Sequence, residues 1–187
     1  MAAGGHWDGG LSGMPVDALE LRLSAADDAL VRDVWEALRA AGLPSQADHR
    51  SASNAPHVTL PSPAAPGGMI TGDEAADAAA AVGPLLPAPL RVGGAVLFGR
   101  DRPTVAWLLE AQADLALAVE RRAAQREPTA FRPWIPHLSL ARRVPRQDVG
   151  GVLAAVAPLT PREIVADRLL LWQPGPRTLT TLVAPSI

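Results

Sequence analysis

Cysteine is missing from the 187-residue chain, so disulfides, thiolate nucleophiles and cysteine-based zinc sites are excluded at once. Lysine is missing too. All 17 basic residues are arginine, which together with the abundance of alanine and proline reads as coding bias and carries no functional message. No apolar run approaches the ~20 residues that a membrane helix requires. The N-terminal MAAGGHWDGG has neither the basic start nor the apolar stretch of a signal peptide. The expected location is therefore the cytoplasm. A basic excess is also lacking: at a formal charge of −2, bulk electrostatic capture of long nucleic acid is not expected.

What is present suffices for a core. With 48% hydrophobic residues, the chain is expected to form one generous domain or two small lobes sharing a core. Residues 1–15 are Gly-rich and aperiodic and read as a flexible tail, in which Met14 is a second candidate start; 16–187 is expected to be a single bilobal domain. ALELRL alternates as a strand with Leu19, Leu21 and Leu23 on one face. Ser24 and Asp27 then read as a capping box opening a helix whose stripe is Leu30, Val31, Val34, Trp35 and Leu38, stopped by Gly42 and Pro44; Trp35 is expected to pack in the core. HVTL is short and β-prone. Thr71 and Glu74 predict a second capping box, on the Ala-rich helix that ends at Gly83 and Pro84.

LRVGGAVLFG and TVAWLLEA read as a hairpin around RDRP, followed by a helix in ADLALAVERRAAQRE and a short strand in HLSL. RQDVGGVLAAVA spaces Val149, Val152, Leu153 and Val156 as a helix despite two glycines, and VADRLLLWQ and TLTTLVA close the chain as strands around PGPR. Strand, helix, His-bearing strand, helix, strand occurs twice, predicting pseudo-repeats at about 18–100 and 101–187. Two such units bury their sheets best against each other with helices outside, leaving a cleft along the seam.

The chain has four histidines, and two of them share a frame: PHVTL at His57 and PHLSL at His137, each after a proline and each followed at +2 by a hydroxyl, Thr59 or Ser139. In a strand, His57 and Thr59 share one face and Val58 and Leu60 the other; His137 and Ser139 pair likewise, with Leu138 and Leu140 behind. Each motif so presents an imidazole and a hydroxyl roughly 7 Å apart at Cα, able to converge on one small anion. Two imidazoles suit a reaction that takes a proton from a nucleophile and returns one to a leaving group, and hydroxyls beside them suit growing charge on non-bridging oxygens. A strained cyclic phosphodiester fits this layout, and no metal or other cofactor is required.

Ser and Thr supply 16 of the 187 residues. A chance His-x-Ser/Thr therefore occurs at roughly one histidine in twelve, so one match is weak. His49-Arg50-Ser51 is such a decoy, with arginine where the buried apolar residue belongs, and His49 reads as a loop residue; His6 belongs to the tail. Seven arginines (121, 122, 126, 132, 142, 143 and 146) face one acid, Glu127, in this part of the chain. Arg121, Arg122 and Arg126 read as a solvated helix face, the others as flanks of the second motif open to an anion.

PHVTL and PHLSL resemble the paired motifs of the 2H phosphoesterase superfamily, in its bacterial 2'-5' RNA ligase-like, or RNA 2',3'-cyclic phosphodiesterase, branch. FGRDRPTVAWLLEA resembles the hairpin between that family's halves, FRPWIPHLSLAR its second motif and LLLWQPGPRTLTTLV its closing hairpin. The resemblance implies an α+β fold, bilobal and duplicated, with two antiparallel sheets flanking a central cleft. It implies that His57 and His137 are the general acid and base, in an order their near-symmetry leaves open, and that Thr59 and Ser139 contact the phosphate. Arg142 matches a basic residue that follows the second motif and is implied to bind phosphate. For Trp134, stacking on a base and packing beneath the motif are both open. The branch often continues its first motif with an aromatic and a glycine where this chain has PSPAAPGG, which places the substrate rim in question. Substrates implied are RNA ends or small cyclic nucleotides, with no membrane and no obligatory protein partner. The rivals are a non-catalytic nucleotide or RNA-end binder and a metallohydrolase, the latter short of ligands.

Overall fold

The computed structural model describes residues 16–49, 54–61, 68–126 and 133–185. The N-terminal tail, Arg50 and Ser51 of the decoy, most of PSPAAPGG, and Arg132 lie outside the described residues. Along the chain run β1 (Ala18–Leu23), α1 (Ala25–Ala40), β2 (His57–Thr59), α2 (Gly72–Val82), β3 (Ala88–Phe98), β4 (Thr104–Ala111), α3 (Ala113–Arg126), β5 (His137–Ala141), α4 (Val149–Val156), β6 (Glu163–Gln173) and β7 (Thr178–Val183). Each segment read as a helix or strand from its periodicity is one.

All strand pairs are antiparallel, in the order β2-β1-β6-β3-β4-β5 with β7 added on β6. The two expected sheets are thus wings of one hydrogen-bonded sheet. β3 and β6, at 11 residues each, are long enough to serve both. They pair with each other through Ala88–Arg91 and Glu163–Ala166, then diverge to β4 and β1. Exchanging β1, β2 and β3 for β4, β5 and β6 leaves the order unchanged. At the two ends of the path, β2 and β5 approach each other, with Cα atoms within 8 Å.

One face of the sheet carries the core. Leu19, Leu21, Leu23, Val58, Leu60, Val105, Trp107, Leu138, Leu140 and Leu169 are buried there beneath the helices. α1 packs with α4 on β4 and β5, while α2 packs with α3 and lies on β6 and β7. Val31, Val34, Trp35 and Leu38 of the predicted stripe are buried. Thr71 and Glu74 form the complete capping box at α2.

Two expectations change. Ser24 caps α1 by accepting from the Asp27 amide, but Asp27 does not close the box; its Oδ2 takes the Ser24 hydroxyl at 2.7 Å and the Val165 amide at 3.0 Å, tying the helix start to β6. Arg122 is no solvated residue. It is buried where α2 meets α3 and donates to the Glu74 carbonyl at 3.2 Å, because that helix face is covered by α2.

Candidate active site

Why do the two histidines face one space? Both motifs are edge strands whose apolar residues must go to the core: Val58, Leu138 and Leu140 are 0% exposed and Leu60 2%. Alternation then sends His57, Thr59, His137 and Ser139 to the face opposite the core. The edges are tied to their surroundings by two indoles. Trp35 of α1 donates to the Ser139 carbonyl at 3.2 Å, and Trp134, just before β5, donates to the Thr59 carbonyl at 3.1 Å. Of the two readings of Trp134, packing has a contact in the structure: the ring lies against the core and bridges the two motifs.

Each imidazole is held in the same way. His57 Nδ1 lies 2.8 Å from the Ala55 carbonyl oxygen, and His137 Nδ1 lies 2.8 Å from that of Ile135. A carbonyl only accepts, so Nδ1 carries the hydrogen in both rings and Nε2 is the atom left for chemistry. Neither the Thr59 nor the Ser139 hydroxyl has a protein partner among the described residues.

The neighbours of the two rings differ. On β1, Arg22 stands opposite His57 and Glu20 opposite Thr59; on β4, Leu108 stands opposite His137 and Ala106 opposite Ser139. Glu20 and Arg22 are 5% and 9% exposed. Glu20 Oε2 accepts from Arg22 Nε at 3.0 Å and Nη2 at 2.7 Å, while Oε1 lies 3.8 Å from His57 Nε2. Across the cleft, the Phe98 ring meets the His137 ring, with centroids 4.4 Å apart at 47°. Trp172 stands opposite Ala18 as Phe98 stands opposite Thr104, but among the described residues its ring makes no contact with the His57 ring.

The alternation of ALELRL contained the signal for Glu20 and Arg22. With the leucines committed to the core, Glu-x-Arg lines the other face, beside whichever strand pairs there; that this is the His57 strand is a matter of tertiary structure. Phe98 had no sequence signal, since only the pairing of β3 with β4 and of β4 with β5 brings its ring to His137.

Arg142, directly after β5, is exposed and without a partner among the described residues. Arg143 follows at φ 52°. Arg146 is engaged elsewhere, on the Asp101 carboxylate at 3.1 Å and the Arg100 carbonyl. His49 is exposed, with its backbone bonded to Gln46 and Asn54. No three His, Asp or Glu side chains converge as a metal cluster among the described residues. There, too, no helix is long and apolar enough to cross a membrane.

No curated protein sequence matches the chain. Among solved structures, Kluyveromyces marxianus Usb1 with uridine monophosphate is similar at 14% identity and a TM-score of 0.46, over 92% of this chain and 99% of that one. The family profile of the 2'-5' RNA ligase superfamily matches residues 26–176, a span that contains both histidine motifs and most of the sheet. The chain belongs to the 2'-5' RNA ligase superfamily, the 2H phosphoesterases, and so to a family of enzymes acting on RNA phosphodiester bonds.

Proposed function

We propose that the protein is a metal-independent phosphodiesterase that opens 2',3'-cyclic phosphates of RNA ends or nucleotides by two-histidine acid–base catalysis, within one bilobal domain spanning 16–187. The observation that supports the reading is the matched pair of Nδ1–carbonyl hydrogen bonds, which fix both rings and leave both Nε2 atoms free for chemistry. One Nε2 takes a proton from water as its oxygen bonds to phosphorus. The other gives a proton to the ribose oxygen as its bond to phosphorus breaks. Thr59 and Ser139 donate to the non-bridging oxygens, where charge grows in the transition state. Arg142 adds a cation at the mouth, and Trp134 borders the site while holding the first motif in place. Ligation through a 2'-5' bond is the same path reversed, which water in large excess disfavours.

The test is a panel of 2',3'-cyclic nucleotides and cyclic-ended oligonucleotides, with products identified by mass and regiochemistry. Turnover that chelator does not diminish is expected. Saturable binding with unaltered substrate would establish the rival reading, a nucleotide or RNA-end binder using the same cleft.

A further inference from the structure

A carboxylate and a guanidinium withdrawn from water beside one histidine, and not the other, need an explanation. A buried ion pair is costly to desolvate, and a well-packed apolar pair in its place is often no worse for stability. The second wing demonstrates the apolar solution, since Ala106 and Leu108 occupy on β4 the stations that Glu20 and Arg22 occupy on β1. Stability therefore does not account for the charged pair.

Its geometry does. Arg22 holds Glu20 by Oε2 alone, through both Nε and Nη2, which leaves Oε1 directed at His57. With Nδ1 committed to the Ala55 carbonyl, Nε2 is the atom Oε1 meets, at 3.8 Å. A carboxylate accepts only, so this contact is favourable when Nε2 carries a hydrogen and idle when it does not. The other charged groups on this wall, Arg168 and Asp167, are bonded to each other, and Arg168 also to the Leu23 carbonyl. His137 has Phe98 against its ring and, among the described residues, no carboxylate at its Nε2.

We propose that Glu20, held by Arg22, is a positioning residue that makes His57 the proton donor to the leaving oxygen, so that His137 is the acceptor of the proton from the attacking water. This assignment rests on the phosphodiesterase reading above and orders its two equivalent groups. Water loses a proton to His137 Nε2 as its oxygen bonds to phosphorus; the ring P–O bond breaks and the ribose oxygen takes the proton from His57 Nε2. Solvent then returns a proton to His57 and removes one from His137, closing the cycle.

A proton donor is needed only when the leaving group is a poor one. Once product regiochemistry has shown which ribose oxygen departs, the same nucleoside cyclic phosphate is prepared with sulfur in that bridging position, because a thiolate leaves without a proton. On the oxygen substrate, His57→Ala is expected to lose kcat by about a hundredfold or more and Glu20→Gln by about tenfold, with KM little changed. On the sulfur substrate both recover to within about threefold of the parent chain, whereas His137→Ala is equally impaired on both. Should Glu20→Gln fail to fold, Glu20→Ala combined with Arg22→Leu, which copies the apolar stations of the other wing, carries the same comparison. Sulfur rescue of His137→Ala but not of His57→Ala would reverse the assignment and overturn the proposal. So would a Glu20 variant equally impaired on both substrates, or unimpaired on the oxygen one. A parent chain that leaves the oxygen substrate intact would overturn the phosphodiesterase reading itself, and this proposal with it.

Discussion

The two walls of the cleft share a backbone and differ in chemistry. Each presents a histidine with Nδ1 on the carbonyl two residues upstream, a hydroxyl at +2 and a tryptophan on that residue's carbonyl. Behind this common frame one wall is charged, through Glu20 and Arg22, and the other is apolar and aromatic, through Ala106, Leu108 and Phe98. The lesson is that a sheet with two equivalent wings can present the same histidine-and-hydroxyl frame twice and then use the adjacent strand to make the surroundings unequal. On the proposed mechanism, what is alike in the halves serves binding and convergence, and what is unlike serves the order of proton transfers.

The largest effects should fall where the walls are alike. Thr59→Val and Ser139→Ala remove equivalent hydroxyls, and each is expected to lower kcat by about a hundredfold, the usual cost of one preorganised donor to a charged transition state. Steady-state kinetics on a cyclic nucleotide checks this, and a loss confined to one of the two would show that the asymmetry extends to the grip on phosphate. Smaller is the effect of Phe98→Leu, which frees the His137 ring and should cost about tenfold in kcat by loosening the alignment. Its counterpart Trp172→Leu, at a ring that makes no contact with the His57 ring among the described residues, should leave kcat within about twofold. Equal losses from both would break the distinction between the walls.

How much of this could be read from the sequence follows from what each feature depends on. Segments such as ALELRL, the Ser24 helix and the Thr71–Glu74 box are local: periodicity and caps define them, and the structure has them at the predicted places. The two motifs were legible because alternation fixes which face a histidine takes once its apolar neighbours are committed to the core. Three features were not legible, because they depend on strand order. The single sheet requires β3 to pair with β6, Asp27 reaches the Val165 amide far along the chain, and Arg122 is covered by α2. The Glu20–His57 contact belongs with these: the alternation puts Glu20 on the correct face but does not name the strand beside it.

The smallest effects concern the frame itself. Trp134→Phe and Trp35→Phe each delete one indole hydrogen bond to a motif carbonyl and should cost about 1 kcal/mol of stability, read from denaturant midpoints. Trp35 is 3% exposed, so the carbonyl it leaves is the harder to satisfy with water and its loss should be the larger. Equal stability of both variants with the parent chain would mean that the indoles do not hold the edges.

The most direct measurement compares turnover of a 2',3'-cyclic nucleotide by the parent chain, by His57→Ala, by His137→Ala and by the double variant, all checked for folding by circular dichroism. Two groups acting in one concerted step are not additive, so each single change should lose about as much as both together, on the order of a hundredfold to ten-thousandfold. Activity that survives in either single variant near the parent level, or losses that simply multiply in the double variant, would contradict a shared two-histidine site.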